Sequence, residues 1–166
     1  AGDIDEMERM LNDYLQYAKS QTEEKSVKFS LTSTITNLLK KYDTNKYEFS
    51  SNQDLKFYGR ENLIKRCILN ILENGLTYGN KIFVDLKKSM NNLVITIEDD
   101  GPGVDRSEQS NVFRPFYRVD KSRGLNKSGV GLGLSVAQDI VKSHGGNISL
   151  SESKHKGLLV KISLPF

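Results

Sequence analysis

The sequence has little cysteine and no long apolar run, and each absence excludes a class of protein. Cys67 is the only cysteine of the 166 residues, so no internal disulfide can form. It lies in the apolar segment LIKRCILNIL, which predicts a reduced core residue. No apolar stretch is long enough to cross a bilayer and no signal peptide is present, so we expect the chain to be soluble. The chain does not begin with Met, and we expect any membrane anchor to lie outside it.

The charge is also too evenly balanced to predict nucleic-acid binding. The formal net charge is +3, with 37% apolar and 27% charged residues. This composition and length are typical of one globular domain with a short appendage. No internal repeat and no low-complexity segment is visible.

A helix is predicted over residues Ile4–Glu24, and its apolar residues form a narrow seam. The seam residues follow steps of three and four: Ile4, Met7, Leu11, Tyr14 and Ala18. So short a seam needs a partner, which is either its own domain or a second copy of the chain.

Strands and helices alternate along the rest of the chain. The predicted helices are Ser33–Lys41, Arg60–Tyr78 and Val130–His144, the last closed by Gly145 and Gly146. VKFSL predicts a strand, KYEFS and DLKFYG predict two strands with a turn between them, and KIFVDLKKSMNNLVITIEDDG predicts a hairpin around MNN. NISLSES and GLLVKISLPF predict a final hairpin. The expected fold is α/β (α+β), a two-layer sandwich of a mixed sheet and about three helices, preceded by one helix.

Three alternating glycines, Gly129, Gly131 and Gly133, stand at the start of the last predicted helix. Leu134 occupies the position where a dinucleotide fingerprint needs its third glycine, and no Lys-Ser or Lys-Thr follows as in a P-loop. A helix N-terminus suits phosphate, because it presents free N–H groups and a positive dipole end. A flexible hinge before a helix accounts for the pattern equally well.

Polar residues in two further segments have the arrangement of a ligand site. In EDDGPGV, Asp99 follows an apolar strand and precedes Gly101 and Gly103, although a plain turn explains this segment better when it is taken alone. In NILENGLTYGN, Asn70 and Asn74 share one helical face close to the apolar one. Because Asn is a poor helix former and a buried amide needs a partner, a polar ligand is favoured over an amide pair satisfied by backbone.

The segment FRPFYRVDKSRGLNKSG, residues 113–129, is rich in basic residues. It has loop composition and is long for a connection without secondary structure, which is typical of a functional lid. A solvated basic loop is the alternative. Its place just before the glycines favours attraction of phosphate.

These four elements, in this order, resemble the catalytic and ATP-binding domain of bacterial sensor histidine kinases, in the gyrase/Hsp90/histidine kinase/MutL superfamily. Asn70 and Asn74 resemble the N box, DDGPG the first glycine box, FRPFYR the F box and GVGLGL the second glycine box. The resemblance covers about residues 27–166. It implies a Bergerat-type ATP-binding fold, with ATP between the helical layer and a mobile lid.

The resemblance also implies roles for individual residues. Asp99 would accept a hydrogen bond from the adenine amine, Gly101 and Gly103 would pass under the base, and Tyr78 would contact it. Asn74 would hold Mg²⁺, with Asn70 beside the phosphates.

The remaining implied contacts lie in the lid and at the start of the last helix. Arg118 would reach the phosphates and stabilise the transferred charge, so Asn70 and Arg118 are the expected catalytic residues. Phe113 and Phe116 would pack the lid, and Lys121, Arg123 and Lys127 are weaker lid candidates. The further expected nucleotide contacts are Val119, Val130, Gly131, Leu132, Gly133 and Leu134.

Two positions distinguish this chain within the superfamily. ATP-hydrolysing members carry a glutamate four residues before the Mg²⁺-binding asparagine, whereas Asn70 cannot act as a general base. The resemblance therefore implies a kinase with a protein acceptor rather than a hydrolase. Thr77 stands where many members have Lys or Arg, which removes one expected phosphate contact.

The family's phosphoacceptor motif, which resembles H-E-L-R-x-P, is missing from the sequence. His144 ends a predicted helix, where a cation would be stabilising, and His155 lies in a turn; both are expected to be structural or solvated. Residues 1–25 resemble the second helix of the dimerisation and phosphotransfer hairpin, and residues 26–166 form the catalytic domain. The chain is therefore interpreted as a truncated kinase that would phosphorylate a histidine on a hairpin absent from it.

This interpretation implies partners and leaves two alternatives. The partners are the hairpin of the parent kinase and a response regulator receiver domain. The parent is expected to be a membrane-anchored homodimer with this portion in the cytoplasm, and the chain alone a monomer or a weak dimer. A non-enzymatic nucleotide-binding regulator and a serine kinase of the anti-sigma-factor type remain the alternatives. Labelling of a separately made acceptor hairpin would separate them.

Overall fold

In the computed structural model, which describes residues 2–51, 53–114 and 133–166, helices and strands alternate as the sequence predicts. The helices are α1 (Gly2–Glu23), α2 (Leu31–Leu39), α3 (Glu61–Tyr78) and α4 (Gly133–Ser143). The strands are β1 (Val27–Ser30), β2 (Tyr47–Ser51), β3 (Lys56–Gly59), β4 (Ile82–Ser89), β5 (Asn92–Asp99), β6 (Asn147–Glu152) and β7 (Leu158–Pro165). Short 3-10 turns occupy Thr44–Lys46, Arg106–Glu108 and Asn111–Phe113.

Five strands form the main sheet, in the order β2-β4-β5-β7-β6. β2 runs parallel to β4, and the other neighbours are antiparallel, so the sheet is mixed as predicted. β4 and β5 form the predicted hairpin, in which Ser89 pairs with Asn92 across two turn residues. The last predicted hairpin is confirmed as β6 and β7.

One face of this sheet is apolar and carries the helical layer. Alternate residues of the central strands are buried on it: Ile82, Val84, Leu86, Ile95, Ile97, Val160 and Ile162. α2, α3 and α4 contact the sheet and close a single core with it. Each large apolar side chain buried in such a core contributes about 1.5–3 kcal/mol. The expected two-layer sandwich is therefore confirmed.

The two strands predicted with a turn between them are confirmed as β2 and β3, and they lie in different sheets. β2 pairs with β4 in the main sheet, whereas β3 pairs with β1 in a separate two-stranded sheet. Phe57 of β3 is 3% exposed and packs edge-on against Phe29 of β1, with ring centroids 6.0 Å apart. This aromatic contact buries β3 against β1, and local alternation in the sequence carries no information about it.

Helix ends follow their capping residues. α2 begins two residues before the predicted Ser33, because the Ser30 hydroxyl accepts a hydrogen bond from the Ser33 N–H at 3.0 Å and so acts as the N-cap. α4 ends as predicted: Gly145 has φ +75°, and the Gly146 N–H donates to Val141 O at 2.9 Å. Residues 130–132 of the predicted last helix lie outside the described residues.

α1 contacts the core through a residue that the predicted seam does not contain. Tyr17 is 4% exposed, whereas Ile4, Met7 and Leu11 are 58–64% exposed. The Tyr17 hydroxyl accepts a hydrogen bond from Gln21 Nε2 at 2.8 Å. The seam therefore does not fold back onto the domain in this structure. Over the described ranges, no helix combines the length and apolar character of a membrane span.

Candidate functional site

α3 carries two amides toward the start of α4. Asn70 and Asn74 lie one helical turn apart and are both half-buried. Asn70 Nδ2 donates to the carbonyl oxygen of Gly133 at 3.3 Å. One N–H of Asn70 is thus satisfied by backbone, as the alternative interpretation of this amide expects. α3 and α4 therefore meet directly at the position where the sequence predicts phosphate binding.

Asp99 brings a carboxylate to the end of the buried sheet face. It is the last residue of β5, it pairs with Ile82 across the sheet, and it is 7% exposed. Its Oδ1 accepts hydrogen bonds from the Gly101 N–H at 2.9 Å and the Leu158 N–H at 3.2 Å. Its Oδ2 faces Gly75 of α3, where an added Cβ would lie 3.8 Å from it. The carboxylate is therefore oriented, with one oxygen held by backbone and the other directed toward α3.

Burial raises the pKa of Asp99 above the ordinary value for a carboxyl group. The hydrogen bonds from the Gly101 and Leu158 N–H groups oppose this shift, and the nearby charge of Asp100 adds to it. An ionised carboxylate in this position is stabilised by any further donor that reaches it. An exocyclic amine of a base is such a donor.

Glycines allow the chain to approach this carboxylate from both sides. A Cβ on Gly101 would lie 2.8 Å from the carbonyl oxygen of Tyr78, which is closer than real Cβ atoms come. Gly103 has φ +75°, and a Cβ there would lie 3.2 Å from Lys156 O. The first glycine box is therefore more than a plain turn, since it packs against the end of α3 and against the β6–β7 turn.

Sequence reasoning missed Gly157 and Leu158. Gly157 lies against Asp99, and a Cβ on it would overlap both Asp99 Oδ1 and the Asp99 carbonyl oxygen. This close approach lets the Leu158 N–H reach the carboxylate. The only signal in the sequence was the glycine in SESKHKG, which also fits an ordinary turn between two strands.

The structure describes some of the predicted nucleotide and lid contacts and leaves the rest outside its described ranges. The structure brings together Asn70 and Gly133, and it brings Asp99 together with Gly101 and the end of α3 at Tyr78. Phe113 packs against the core, and Leu134 is 9% exposed within it. Asn74 and Gly103 are described above, and the remaining predicted residues lie outside the described ranges: Phe116, Arg118, Val119, Lys121, Arg123, Lys127, Val130, Gly131 and Leu132.

Both histidines have structural contacts. His144 Nδ1–H donates to Ile140 O at 2.8 Å, and its Nε2 accepts from the Arg60 N–H at 3.0 Å. This pattern requires the neutral ring, and burial lowers the pKa of His144, so the side chain has the expected structural role but is not a cation at the end of α4. His155 stacks on Phe83, with centroids 3.6 Å apart.

Cys67 is a core residue, as predicted. It is 2% exposed, and burial raises the pKa of its thiol to about 12. The thiol is therefore neutral at physiological pH.

Known proteins resemble this chain in both sequence and fold. The Escherichia coli sensor histidine kinase CpxA is 37% identical over 109 residues, which are 65% of this chain and 24% of CpxA. The Pseudomonas aeruginosa sensor histidine kinase GtrS is 32% identical over 169 residues, which are 98% of this chain and 34% of GtrS. The chain thus spans between a quarter and about a third of the length of these two curated relatives.

A solved structure supports the fold, and a family model shows the family. The mycobacterial sensor histidine kinase MprB matches with a TM-score of 0.73 at 23% identity, over 84% of this chain and 97% of the MprB chain, which supports the fold. The model described as "Histidine kinase-, DNA gyrase B-, and HSP90-like ATPase" matches residues 59–166. That range includes α3, Asp99 and its glycines, and α4. This chain therefore belongs to the family of histidine kinase-, DNA gyrase B- and HSP90-like ATPases, and both curated relatives described above are sensor histidine kinases.

Proposed function

We propose that this chain is the catalytic and ATP-binding domain of a two-component sensor histidine kinase. It binds MgATP and transfers the γ-phosphoryl group to a histidine on a helical hairpin of a longer parent protein. The observation that carries the proposal is the buried carboxylate of Asp99. One of its oxygens is held by two backbone N–H groups, and the other faces α3.

The base subsite is built around this carboxylate. Asp99 Oδ2 accepts a hydrogen bond from the adenine amine, which stabilises the charged form that burial disfavours. Gly101 lets the backbone pass beside the base, Gly103 completes the turn at φ +75°, and Tyr78 contacts the base from the end of α3. The residues fit adenine because the subsite presents an acceptor to its amine.

The phosphate subsite lies between α3 and α4. Asn74 holds Mg²⁺ through its amide oxygen, the kind of hard ligand that this ion prefers, and Mg²⁺ neutralises phosphate charge when it is bound. Asn70 lies beside the phosphates, and the backbone N–H groups of residues 131–133 bind them. Arg118 stabilises the charge on the transferred group, with Val119, Val130, Leu132 and Leu134 as further contacts.

The acceptor is a protein side chain rather than water. Asn70 occupies the position from which a carboxylate would activate water, and an amide cannot take up that proton at neutral pH. The domain then acts by positioning and charge stabilisation, with no covalent step on its own residues. Such a domain needs an acceptor delivered in the correct orientation.

A domain that needs an acceptor from elsewhere implies specific partners. Residues 1–25 are proposed to belong to the second helix of the hairpin and residues 26–166 to the catalytic domain. The exposed seam of α1 suits a helical partner, which is the rest of the hairpin in a homodimeric parent. A response regulator receives the phosphoryl group, and the domain acts on the cytoplasmic side of a membrane-anchored parent.

Calorimetry with MgATP tests nucleotide binding, and incubation with labelled ATP tests transfer. We expect the chain to bind MgATP, with the Mg²⁺ dependence lost in Asn74→Ala. Acid-labile label is expected on an added acceptor hairpin and not on the chain itself. Absence of MgATP binding would contradict the proposal. Label on a serine of the added partner would favour a serine kinase, and binding without any transfer would favour a regulator.

A further inference from the structure

Asp100 is the residue after Asp99, and its carboxylate links the segment that follows α3 to the end of β5. Asp100 Oδ1 accepts hydrogen bonds from the Asn80 N–H at 2.7 Å and the Lys81 N–H at 3.1 Å. These two residues lie between the end of α3 and the start of β4. One side chain therefore joins the segment that follows Tyr78 to the segment that contains Asp99.

The same two segments also touch through backbone. A Cβ on Gly79 would lie 2.7 Å from Asp100 Oδ1 and 3.0 Å from the Gly101 nitrogen. A Cβ on Gly101 would lie 2.8 Å from Tyr78 O. The contact is therefore a close approach of two glycine-containing turns, and glycine contributes no side chain to hold them together.

Helix stability does not account for a carboxylate in this place. The C-terminal end of a helix carries a partial negative charge, which disfavours an anion nearby. Asp100 lies beside that end of α3, and it bonds to N–H groups beyond the helix rather than to groups within it. Partial burial would raise the pKa of Asp100, but its backbone N–H donors outweigh this effect and lower the pKa below the usual value. The side chain is thus ionised at neutral pH.

We propose that Asp100 is a positioning residue of the nucleotide site. By holding residues 79–81 against Gly101, it sets the distance between Tyr78 and the carboxylate of Asp99, the two sides of the base subsite. This inference rests on the proposed function, because it assigns Asp100 a role in the subsite where the adenine base binds.

Electrostatics makes the opposite prediction, which gives the test its direction. ATP is a polyanion, so removing a nearby negative charge strengthens its binding if charge is the only effect of Asp100. Asp100→Ala removes both the charge and the acceptor. Asp100→Asn removes the charge but keeps an oxygen that can accept from both N–H groups.

The experiment compares these two variants with the unmodified chain by calorimetry, using MgATP and adenosine. We expect Asp100→Ala to raise the Kd for both ligands by roughly three- to tenfold, as for the loss of one or two hydrogen bonds. Asp100→Asn is expected to bind both ligands at least as tightly as the unmodified chain. Asp13→Ala, which removes an exposed carboxylate from α1, is the matched charge control and is expected to change neither Kd.

Amide hydrogen exchange at Asn80 and Lys81, in the absence of nucleotide, measures how well Asp100 protects these two N–H groups. We expect faster exchange in Asp100→Ala and unchanged exchange in Asp100→Asn. If exchange is unchanged in Asp100→Ala, Asp100 does not hold this segment and the inference is overturned, whether or not the chain binds ATP. If exchange is faster but Asp100→Ala binds ATP as tightly as Asp100→Asn, the positioning role is overturned while the proposed function stands. If the unmodified chain binds no ATP, both fall.

Discussion

The two ends of α3 are each held by a carboxylate from elsewhere in the chain, with different consequences. At the N-terminal end, Glu24 accepts from the Asn62 N–H at 2.8 Å and the Leu63 N–H at 3.1 Å. At the C-terminal end, Asp100 accepts from the first N–H groups beyond the helix. The first interaction lies far from the candidate site, and the second lies within it. One end of α3 therefore serves stability, and the other lies at the proposed binding site.

The N-terminal end is also a junction of three helices. Arg60, the residue before α3, has no side-chain hydrogen bond of the usual N-cap type, and Glu24 supplies the cap from the end of α1. The Arg60 guanidinium donates to Gln21 O and to Ser143 Oγ, so it joins the ends of α1 and α4. An anion at a helix N-terminus and a cation at a helix C-terminus both suit the helix dipole. This junction therefore stabilises the docking of α1.

The largest expected effect is on MgATP affinity near the C-terminal end of α3, in Asp99→Asn. The amide oxygen of Asn would accept from the Gly101 and Leu158 N–H groups, which leaves its NH₂ group facing the adenine amine, donor against donor. We expect MgATP affinity to fall by about a hundredfold or more. Calorimetry checks this, and an affinity within tenfold of the unmodified chain would contradict the role of Asp99.

The thermal stability of Asp99→Asn tests whether Asp99 serves binding rather than stability. Because the folded-state pKa of Asp99 is raised, its contribution to stability is fully present below the unfolded carboxyl pKa and is lost as pH rises through the folded pKa. The neutral Asn removes this loss at pH 7. We expect thermal unfolding of Asp99→Asn without nucleotide at or above the temperature of the unmodified chain. A large drop would mean that the carboxylate is structural.

The next largest effect is expected at the N-terminal end of α3, in Glu24→Ala. This change leaves two N–H groups at the start of α3 without their carboxylate, and we expect a loss of about 1 kcal/mol in the free energy of unfolding. MgATP affinity of the folded protein should not change. Denaturant unfolding and calorimetry measure the two quantities, and Glu23→Ala on the exposed face of α1 is the matched control. A loss of affinity with no loss of stability would reverse the comparison.

The smallest effect is a pH dependence at the same junction. His144 is neutral in the folded state: burial lowers its pKa, Arg60 adds to that shift, and the Ile140 carbonyl and Glu24 oppose it. The unfolded chain therefore binds more protons as the pH falls below about 6.5, so stability is fully present above that pH and decreases below it. We expect the unfolding temperature to fall between pH 7.5 and 5.5, and to fall less in His144→Gln. Equal decreases in the two proteins would exclude His144 as a cause.

Local patterns predicted most elements, and failed where contacts are distant in sequence. Period-two alternation identified β2 and β3, but their pairing with strands elsewhere in the chain, β2 with β4 and β3 with β1, is what places them in different sheets. The apolar seam of α1 was correctly assigned to a helix, yet Tyr17 rather than the seam makes the buried contact. Docking depends on the surface of the partner, which a pattern within one helix does not describe.

At the candidate site, the sequence by itself determined which chemical groups are present: two amides one helical turn apart on α3, a carboxylate at the end of a strand, and glycines beside it. Residue type and local spacing are properties of a short segment, so they can be read without the fold. Only the tertiary structure decided that Leu158 holds Asp99 from the far hairpin, that Gly157 makes room for it, and that Asp100 reaches back to Asn80. Those contacts join residues 20–59 positions apart, and the packing of the sheet against α3 is what brings them together.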